Sequence, residues 1–398
     1  MLDRPIADQR QIGILMDNPF RVEIALSWDA IAARWTALQD RAFGTPFQHA
    51  HWMSTWYGVF GALPGVEPIL VAVTDTRSDR DVLLIPLVRR TLGSLRTIEF
   101  ADLWSTDYNA PLIGDGAPSN QAESALLWAA MQRALPAADL VRFTKMPLAI
   151  RGRKNPLALL PDAHASTTSG YVVPLPERWD DYIKSLKKDM QSLLRRRWKR
   201  LTEESNAVLR WVEKKNEARR VLAVLQEQQT ARLRLLGVNH VFDDPHHVRF
   251  YERHVLNGLA DGTAVLTALV ADGEIIATFL AVADGTCCTL IRSSQHRDEK
   301  WLKLGLGKLI IEQSMRALHE RGYRYFDLSI GDSPYKHDFG VEPFPLADFE
   351  RALTWRAVPT LYRERTWANV KKNPWVASAA RSVKRAFPSR PAATGTHS

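Results

Sequence analysis

Three apolar runs separated by two Asp-Gly dipeptides restrict the fold more than any other feature of this chain. Residues 265–271, 274–283 and 287–293 are rich in aliphatic and β-branched side chains, and Asp272-Gly273 and Asp284-Gly285 fall between them. Asp-Gly accepts the positive φ that tight hairpin turns demand, so the segment reads as a three-stranded antiparallel meander. Helical patterns precede it at 179–201, 218–236 and 246–259, with a short strand at 208–212. A helix from Gly305 to Arg321 and a strand at 323–330 follow.

The N-terminal half repeats that order. A strand at 21–26 leads into a helix at 28–42, with Ser27 placed to cap it, and a second helix at 51–60. Apolar runs at 69–73 and 82–88 flank the polar turn 74–81 and form a hairpin. A strand at 96–100, a loop, a helix at 121–135 and a strand at 139–144 complete the half. At 398 residues the chain is long enough for two cores, and the repeated order identifies an α+β unit present twice. The expected organisation is an arm at 1–19, a domain at 20–150, a linker at 151–169, a second domain at 170–362 and a tail at 363–398.

Composition closes off several classes. A hydrophobic content of 45% with 24% charged residues is that of a globular protein, not of a disordered chain. No apolar run approaches the length needed to span a bilayer, and the polar start of the chain has no signal-peptide core, so the expectation is a cytoplasmic protein. Cys287 and Cys288, the only cysteines, are neighbours on a strand and face opposite ways, which rules out a mutual disulfide and a cysteine zinc site. His246, His247 and His254 lack the partners and spacing of a metal motif, so no metal is expected. The net charge of +9 is concentrated in two places: residues 184–200 hold eight basic residues against Asp189, and 363–390 hold eight against Glu364.

Two stretches carry groups suited to chemistry. In "KWLKLGLGKLIIEQSMRAL" (300–318), Gly305 and Gly307 stand at a helix start, where backbone amides and the helix dipole favour an anion and Lys303 and Lys308 would add charge. The same pair also suits an ordinary helix entry, and the stretch matches neither a Walker A nor a Rossmann pattern. In "FDLSIGDSPYKHDFG" (326–340), alternation puts Asp327 and Ser329 on one strand face and Phe326, Leu328 and Ile330 on the other. Asp332, Tyr335, Lys336 and His337 follow Gly331 and supply acid, base and cation candidates. By composition alone the segment reads as a solvated turn sooner than as a site.

The order of elements and these residues together resemble the GNAT acetyltransferase superfamily, with Leu304-Gly305-Leu306-Gly307 as the loop at its cofactor-binding helix. "FDLSIGDSPYKHDFG" resembles the ending of the CelD/BcsL-type, FemAB-related members. "TPFQHAHWMSTWYGVF" (45–60), "STDYNAPLI" (105–113) and "WDDYIKSLKKDMQSLLRRRWKRL" (179–201) resemble three further motifs of that group, in the same order. Leu302 departs from the Gln or Arg usual in the superfamily loop. The resemblance implies tandem GNAT-like domains, each a mostly antiparallel mixed sheet flanked by helices. It also implies direct acyl transfer from acetyl-CoA or another acyl-CoA to an amine or hydroxyl of a small-molecule or saccharide acceptor, in exopolysaccharide or cell-envelope biosynthesis. The parting strands 287–293 and 323–330, with Ile291 and Ser293, would hold the pantetheine arm. Tyr335 and Lys336 would stand near the reacting centre, Asp327 or Asp332 would orient them, and Asp107 and Tyr108 would line the acceptor groove. The first half lacks a G-x-G and is expected to shape the acceptor site without binding cofactor.

Two alternatives accompany this reading: a FemAB-like transferase using aminoacyl-tRNA, which the basic helix would suit, and a non-catalytic scaffold for polysaccharide synthesis. No specific nucleic-acid module accompanies the charge. The tail interleaves Trp367, Trp375 and Phe387 with cations, a pattern suited to peripheral contact with the inner membrane and equally to a packed helix with a frayed end.

Overall fold

A computed structural model describes residues 18–235 and 243–363; the basic tail beyond 363 and the arm before 18 lie outside the described residues. The first half comprises β1 (Phe20–Ala25), α1 (Ala32–Gln39), α2 (Ala50–Phe60), β2 (Val66–Asp75), β3 (Arg80–Leu92), β4 (Leu95–Phe100), β5 (Leu112–Ile113), α3 (Gln121–Ala134) and β6 (Leu140–Pro147). A short pair, β7 (Ala149–Ile150) and β8 (Arg153–Lys154), leads to β9 (His164–Pro174). The second half comprises α4 (Trp179–Ser185), α5 (Lys188–Ser205), β10 (Val208–Trp211), α6 (Lys215–Leu235), α7 (Pro245–Gly258), β11 (Ala264–Ala271), β12 (Glu274–Ala283) and β13 (Cys287–Gln295). It continues through α8 (Glu299–Leu302), α9 (Leu306–Glu320), β14 (Tyr325–Asp327), α10 (Pro334–His337) and β15 (Pro343–Ala352).

The duplication is explicit in the pairing. β1 to β4 run antiparallel in sequence and β4 then pairs parallel with β6 over Thr97–Glu99; β10 to β13 do the same, and β13 pairs parallel with β14 over Cys287–Thr289. The Asp-Gly signals were sound. Asp272 and Gly273 both take positive φ (50° and 80°), the pair of left-handed residues that closes a two-residue hairpin in the sense of the strand twist. Asp284 instead accepts the Thr286 and Cys287 amides through its side chain, at 3.0 and 2.8 Å.

The halves are not separate sheets. β9, which follows the first half, pairs with β14 of the second; β15, which follows the second, pairs with β6 of the first; and β9 and β15 pair with each other. The result is one continuous sheet of 13 strands. The stretch 151–169, read as a linker, therefore ends inside a central strand. The helix expected over 179–201 is broken at Leu186, whose side chain is buried. Gln191 compensates by donating to the Leu186 carbonyl at 2.7 Å, and the helix restarts and runs to Asn206, a left-handed cap with φ 49°. Helix α9 packs on one face of β10–β13 through Leu309, Ile310, Met315 and Leu318; α6 and α7 pack on the other, with α2 of the first half against α7.

Candidate active site

The second half opens where its parallel pair ends. β14 stops pairing with β13 after Asp327, although sequence alternation extends the strand to 330. Beyond that point the chain follows β9 instead: Leu328 N donates to Tyr171 O at 2.8 Å and Gly331 N to Ser169 O at 3.1 Å. Ser329 takes φ 68°, unusual for a residue with a Cβ, and ends the alternation. On the other strand the register slips between Leu280 and Ala281, leaving Ile291 without an opposite residue on β12. A bulge at this place turns the strand away and leaves its own backbone groups outside the ladder.

Between the parted strands and the start of α9 lies a cleft of about 710 Å³. Helix α9 begins at Gly305, left-handed at φ 60°, with no side-chain cap. Gly307 N donates to Gln295 Oε1 at 2.8 Å, so one amide of the entry is held by a neutral, movable side chain. A Cβ added to Gly305 would meet Arg197 Nη1 at 1.9 Å, which shows how closely that guanidinium approaches the helix entry. Arg232, Arg292, Arg297, Lys308 and Lys336 also line the cleft, and among the described residues no carboxylate does. Uncapped amides, a helix dipole and this excess of cations suit a polyanion such as a pyrophosphate.

Each cation is held differently. Arg292 is buried, donates to Gln229 Oε1 and Gln226 Oε1, both at 2.7 Å, and burial pulls its pKa down to about 10. Lys308 pairs with Asp338 at 2.7 Å. Lys336 is buried, donates to the carbonyls of Ser329 and Ile330 at 2.8 Å each, and stands 4.6 Å from the Tyr171 ring centroid. Burial lowers its pKa to about 8. Its ammonium thus ties down the turn that parts β14 from β13, while its side chain still lines the cleft. Tyr335, on the same short helix, lines the cleft too, and burial raises its phenol.

The acidic candidates separate. Asp327 is buried on the opposite face of the strand from Phe326 and accepts from Ser329 N at 2.7 Å, Tyr108 OH at 2.9 Å and Thr289 Oγ1 at 3.3 Å. Burial pushes its carboxyl up to about 7. It is absent from the lining of the cleft, whereas Ser329, expected on the same face and left-handed at φ 68°, is part of that lining. Asp107 accepts from Ser329 Oγ at 2.7 Å, and burial raises its carboxyl. Asp107 and Tyr108 therefore bring the first half onto the parted strand. Asp332 is exposed, takes hydrogen bonds from Tyr171 OH at 3.1 Å and the His337 ring at 2.8 Å, and does not line the cleft; its pKa is held below the usual range by those donors.

Of the expected cofactor contacts, Gly305, Gly307, Lys308, Ile291 and Ser293 line the cleft. Leu304 and Leu306 are buried in the core of the second half, and Lys303 is exposed and outside the lining. Sequence reading missed Arg197, Arg232, Arg292, Gln229 and Gln295. Arg197 lay within the recognised basic helix, but it is the third of three consecutive arginines, and spacing alone does not say which one turns inward. Among the described residues no group of His, Cys, Asp and Glu could hold a metal ion. His254 packs against Trp52 and Phe250, and His247 bonds Asp244 and the Leu103 carbonyl.

Residues 188–337 match the family model described as "Acetyltransferase (GNAT) domain". No curated protein matches the sequence. Among solved structures, FemX is similar with a TM-score of 0.56 at 11% identity, over 84% of this chain and 97% of that one. A conserved protein of unknown function from Bacteroides thetaiotaomicron gives 0.52 at 11% identity, over 84% and 100%. At such identities the likeness is one of fold.

Proposed function

We propose that this chain, whose residues 188–337 match the model of an acetyltransferase (GNAT) domain, transfers an acyl group from an acyl-CoA, most simply acetyl-CoA, directly to an amine or hydroxyl of a small-molecule or saccharide acceptor. The observation that carries the reading is the coincidence of two openings. The uncapped, cation-ringed entry of α9 faces the same cleft that the parting of β13 and β14 creates. The pyrophosphate would sit at Gly305 and Gly307, displacing Gln295 from the Gly307 amide. The pantetheine arm would take the place that β14 vacates beside β13, where the unmatched Ile291 offers a backbone N–H to the thioester oxygen. One such donor contributes roughly 10²–10³ in rate. Lys336 and Tyr335 would border the thioester. Lys336 fixes the turn by its two carbonyl contacts, and Tyr335 is available as a proton donor to the leaving thiolate.

The exopolysaccharide or cell-envelope setting rests on the four motif resemblances, and contact of the tail with an anionic membrane surface rests on its sequence alone. A second reading, transfer from aminoacyl-tRNA, is favoured by the basic helix α5, from which Arg197 reaches the cleft. Calorimetric titration with acetyl-CoA and with charged tRNA separates the two. The expected result is acetyl-CoA binding weakened about tenfold by Arg197→Ala, the loss of one charge-assisted contact. Binding of charged tRNA with no response to acetyl-CoA would sink the acyl-CoA reading.

A further inference from the structure

We infer that the helical turn after β15 is a docking surface for an anionic membrane, with Trp355 and Val358 as its inserting side chains. Docking there is independent of the acyl-CoA chemistry and belongs to folded residues, not to the tail considered above. β15 ends at Ala352, and residues 355–363 are helical. The turn between them is fixed to the sheet. Asp139 O accepts from Leu353 N at 2.8 Å, Asp139 Oδ1 accepts from Thr354 Oγ1 at 2.9 Å, and Arg356 donates to Ser94 O at 3.0 Å. Ala357 and Leu361, four residues apart, are buried against Leu140. Trp355, Val358 and Tyr362 fall at the spacing of the opposite face and are 81%, 53% and 73% exposed. Trp355 is the most exposed large apolar side chain among the described residues. Single exposed apolar residues are ordinary on a surface, but three on one face of an anchored turn make a patch.

The chemistry of the face selects its partner. Indole and phenol are apolar bodies with a polar edge, the combination that settles at the headgroup level of a bilayer. Arg356 is half exposed and Arg363 is exposed on the same helix, and buried Asp139 offsets one charge there. The sequence then continues with eight basic residues against Glu364 in 363–390. Cations placed beside inserted aromatic residues favour an anionic leaflet over a neutral one. Among the described residues no helix is long and apolar enough to cross a membrane, so the contact is peripheral. Its position suits the site as well. β15 starts at Pro343 opposite Tyr171, whose carbonyl takes Leu328 N beside the cleft. Its 10 residues carry the chain about 30 Å from there to the patch. Docking by this end therefore holds the chain at the bilayer without covering the acyl-CoA cleft.

Vesicle sedimentation of the full chain tests the surface. Vesicles of mixed phosphatidylglycerol and phosphatidylcholine should be bound at least about tenfold more tightly than phosphatidylcholine alone. Trp355→Ser and Val358→Ser should each weaken binding to the anionic vesicles about fivefold to tenfold, with circular dichroism and acetyl-CoA affinity unchanged. A nitrobenzoxadiazole label on Val358→Cys should shift to the blue and brighten when those vesicles are added. Wild type, labelled in the same way through its own Cys287 and Cys288, gives the background. A Val358→Cys label already blue-shifted without vesicles would mean that the tail or a second copy covers the face, and it overturns the docking. Full binding by both serine variants, or equal binding to neutral vesicles, overturns it too. Lys371→Glu with Lys372→Glu separates the tail from the patch. Binding lost in that variant and kept in both serine variants leaves the tail contact standing and strikes this surface. Wild type that binds no vesicle strikes both.

Discussion

Helix α3 and helix α9 occupy the same place in their halves, yet they begin in opposite ways. Asn120 caps α3 by accepting the Glu123 amide at 3.0 Å, and Glu123 in turn accepts the Ser119 amide at 2.8 Å. The entry of α3 is thus closed by its own side chains and carries an acid, whereas that of α9 has no side-chain cap from Gly305, only neutral Gln295 on the Gly307 amide, and faces arginines. The strand splits differ in the same sense. Past the parallel pair of β4 and β6, Asn109 bridges the gap, its amide donating to Lys145 O and its side chain to Thr144 O and Asp102. Trp56 fixes the same loop through Asp102 O and Ser105 Oγ. Past the pair of β13 and β14 the gap is a cleft. One architecture therefore yields a sealed half and an open half, and the difference lies in these seven polar contacts at the helix entry and the strand split.

The largest test of that comparison treats the halves as equals. Leu127 on α3 and Leu309 on α9 are both fully buried, so alanine at either is expected to cost about 2–5 kcal/mol. Because β9 and β15 cross between the halves, each substitution should lower the midpoint of one shared transition in calorimetry. Two resolved transitions, each moved by one variant, would show the halves to be independent after all.

Next in size is a substitution that makes the open entry resemble the sealed one. Gly307→Glu places a carboxylate in the first turn of α9, as Glu123 does in α3. The added Cβ meets only the end of Gln295 at 3.2 Å, so the helix should persist. A negative charge where a pyrophosphate must dock should weaken acetyl-CoA binding about 100-fold, or roughly 2.7 kcal/mol. Circular dichroism unchanged and acetyl-CoA affinity unchanged together would remove the phosphate from this site.

Much of the open half was legible in advance because its signals are local. Hairpin glycines, helix periodicity and the Gly305–Gly307 entry are written within a few residues, and the elements lie where those signals put them, apart from the break at Leu186. What escaped reading depends on partners far away. β15 contains Pro343 and Pro345, and β9 begins with a Ser/Thr-rich run, so neither reads as a central strand; each becomes one by pairing with the half it does not follow. The site divides in the same manner. Tyr335 and Lys336 line the cleft and Asp327 does not, a separation that the sequence alternation through 326–330 does not show. Arg197 and Arg292 could not be chosen from among many arginines until α5 and α6 were seen to flank the split.

The two halves also share a buried carboxyl, and its titration reports on the seam. Asp327 belongs to the second half and is held by Tyr108 of the first, with Asp107, Lys336 and Cys287 nearby. Its folded pKa of about 7 exceeds the unfolded value near 4, so between those limits the folded state binds the extra proton. Its contribution to stability is therefore fully present below about pH 4 and is lost as pH rises through about 7, at up to roughly 1.4 kcal/mol per pH unit. Asp327→Asn should flatten that part of the pH profile. A difference between wild type and variant that is constant from pH 4 to 7 would mean that the carboxyl is not held at the seam as the structure shows.

The smallest effect is the most selective. Asn120→Ala removes the cap of α3 and leaves the Glu123 amide without its side-chain acceptor, a change worth about 1 kcal/mol. The cap is exposed and belongs to the sealed half, so water can replace the lost contact and the shared transition should fall only slightly. Acetyl-CoA affinity should not move, since the α3 entry faces no cleft of cations and Glu123 still presents its acid there. Were Asn120→Ala to create a second, weak acetyl-CoA site, capping alone would be what separates the two halves. If it does not, the seal also requires Asn109 and the loop it pins across the split between β4 and β6.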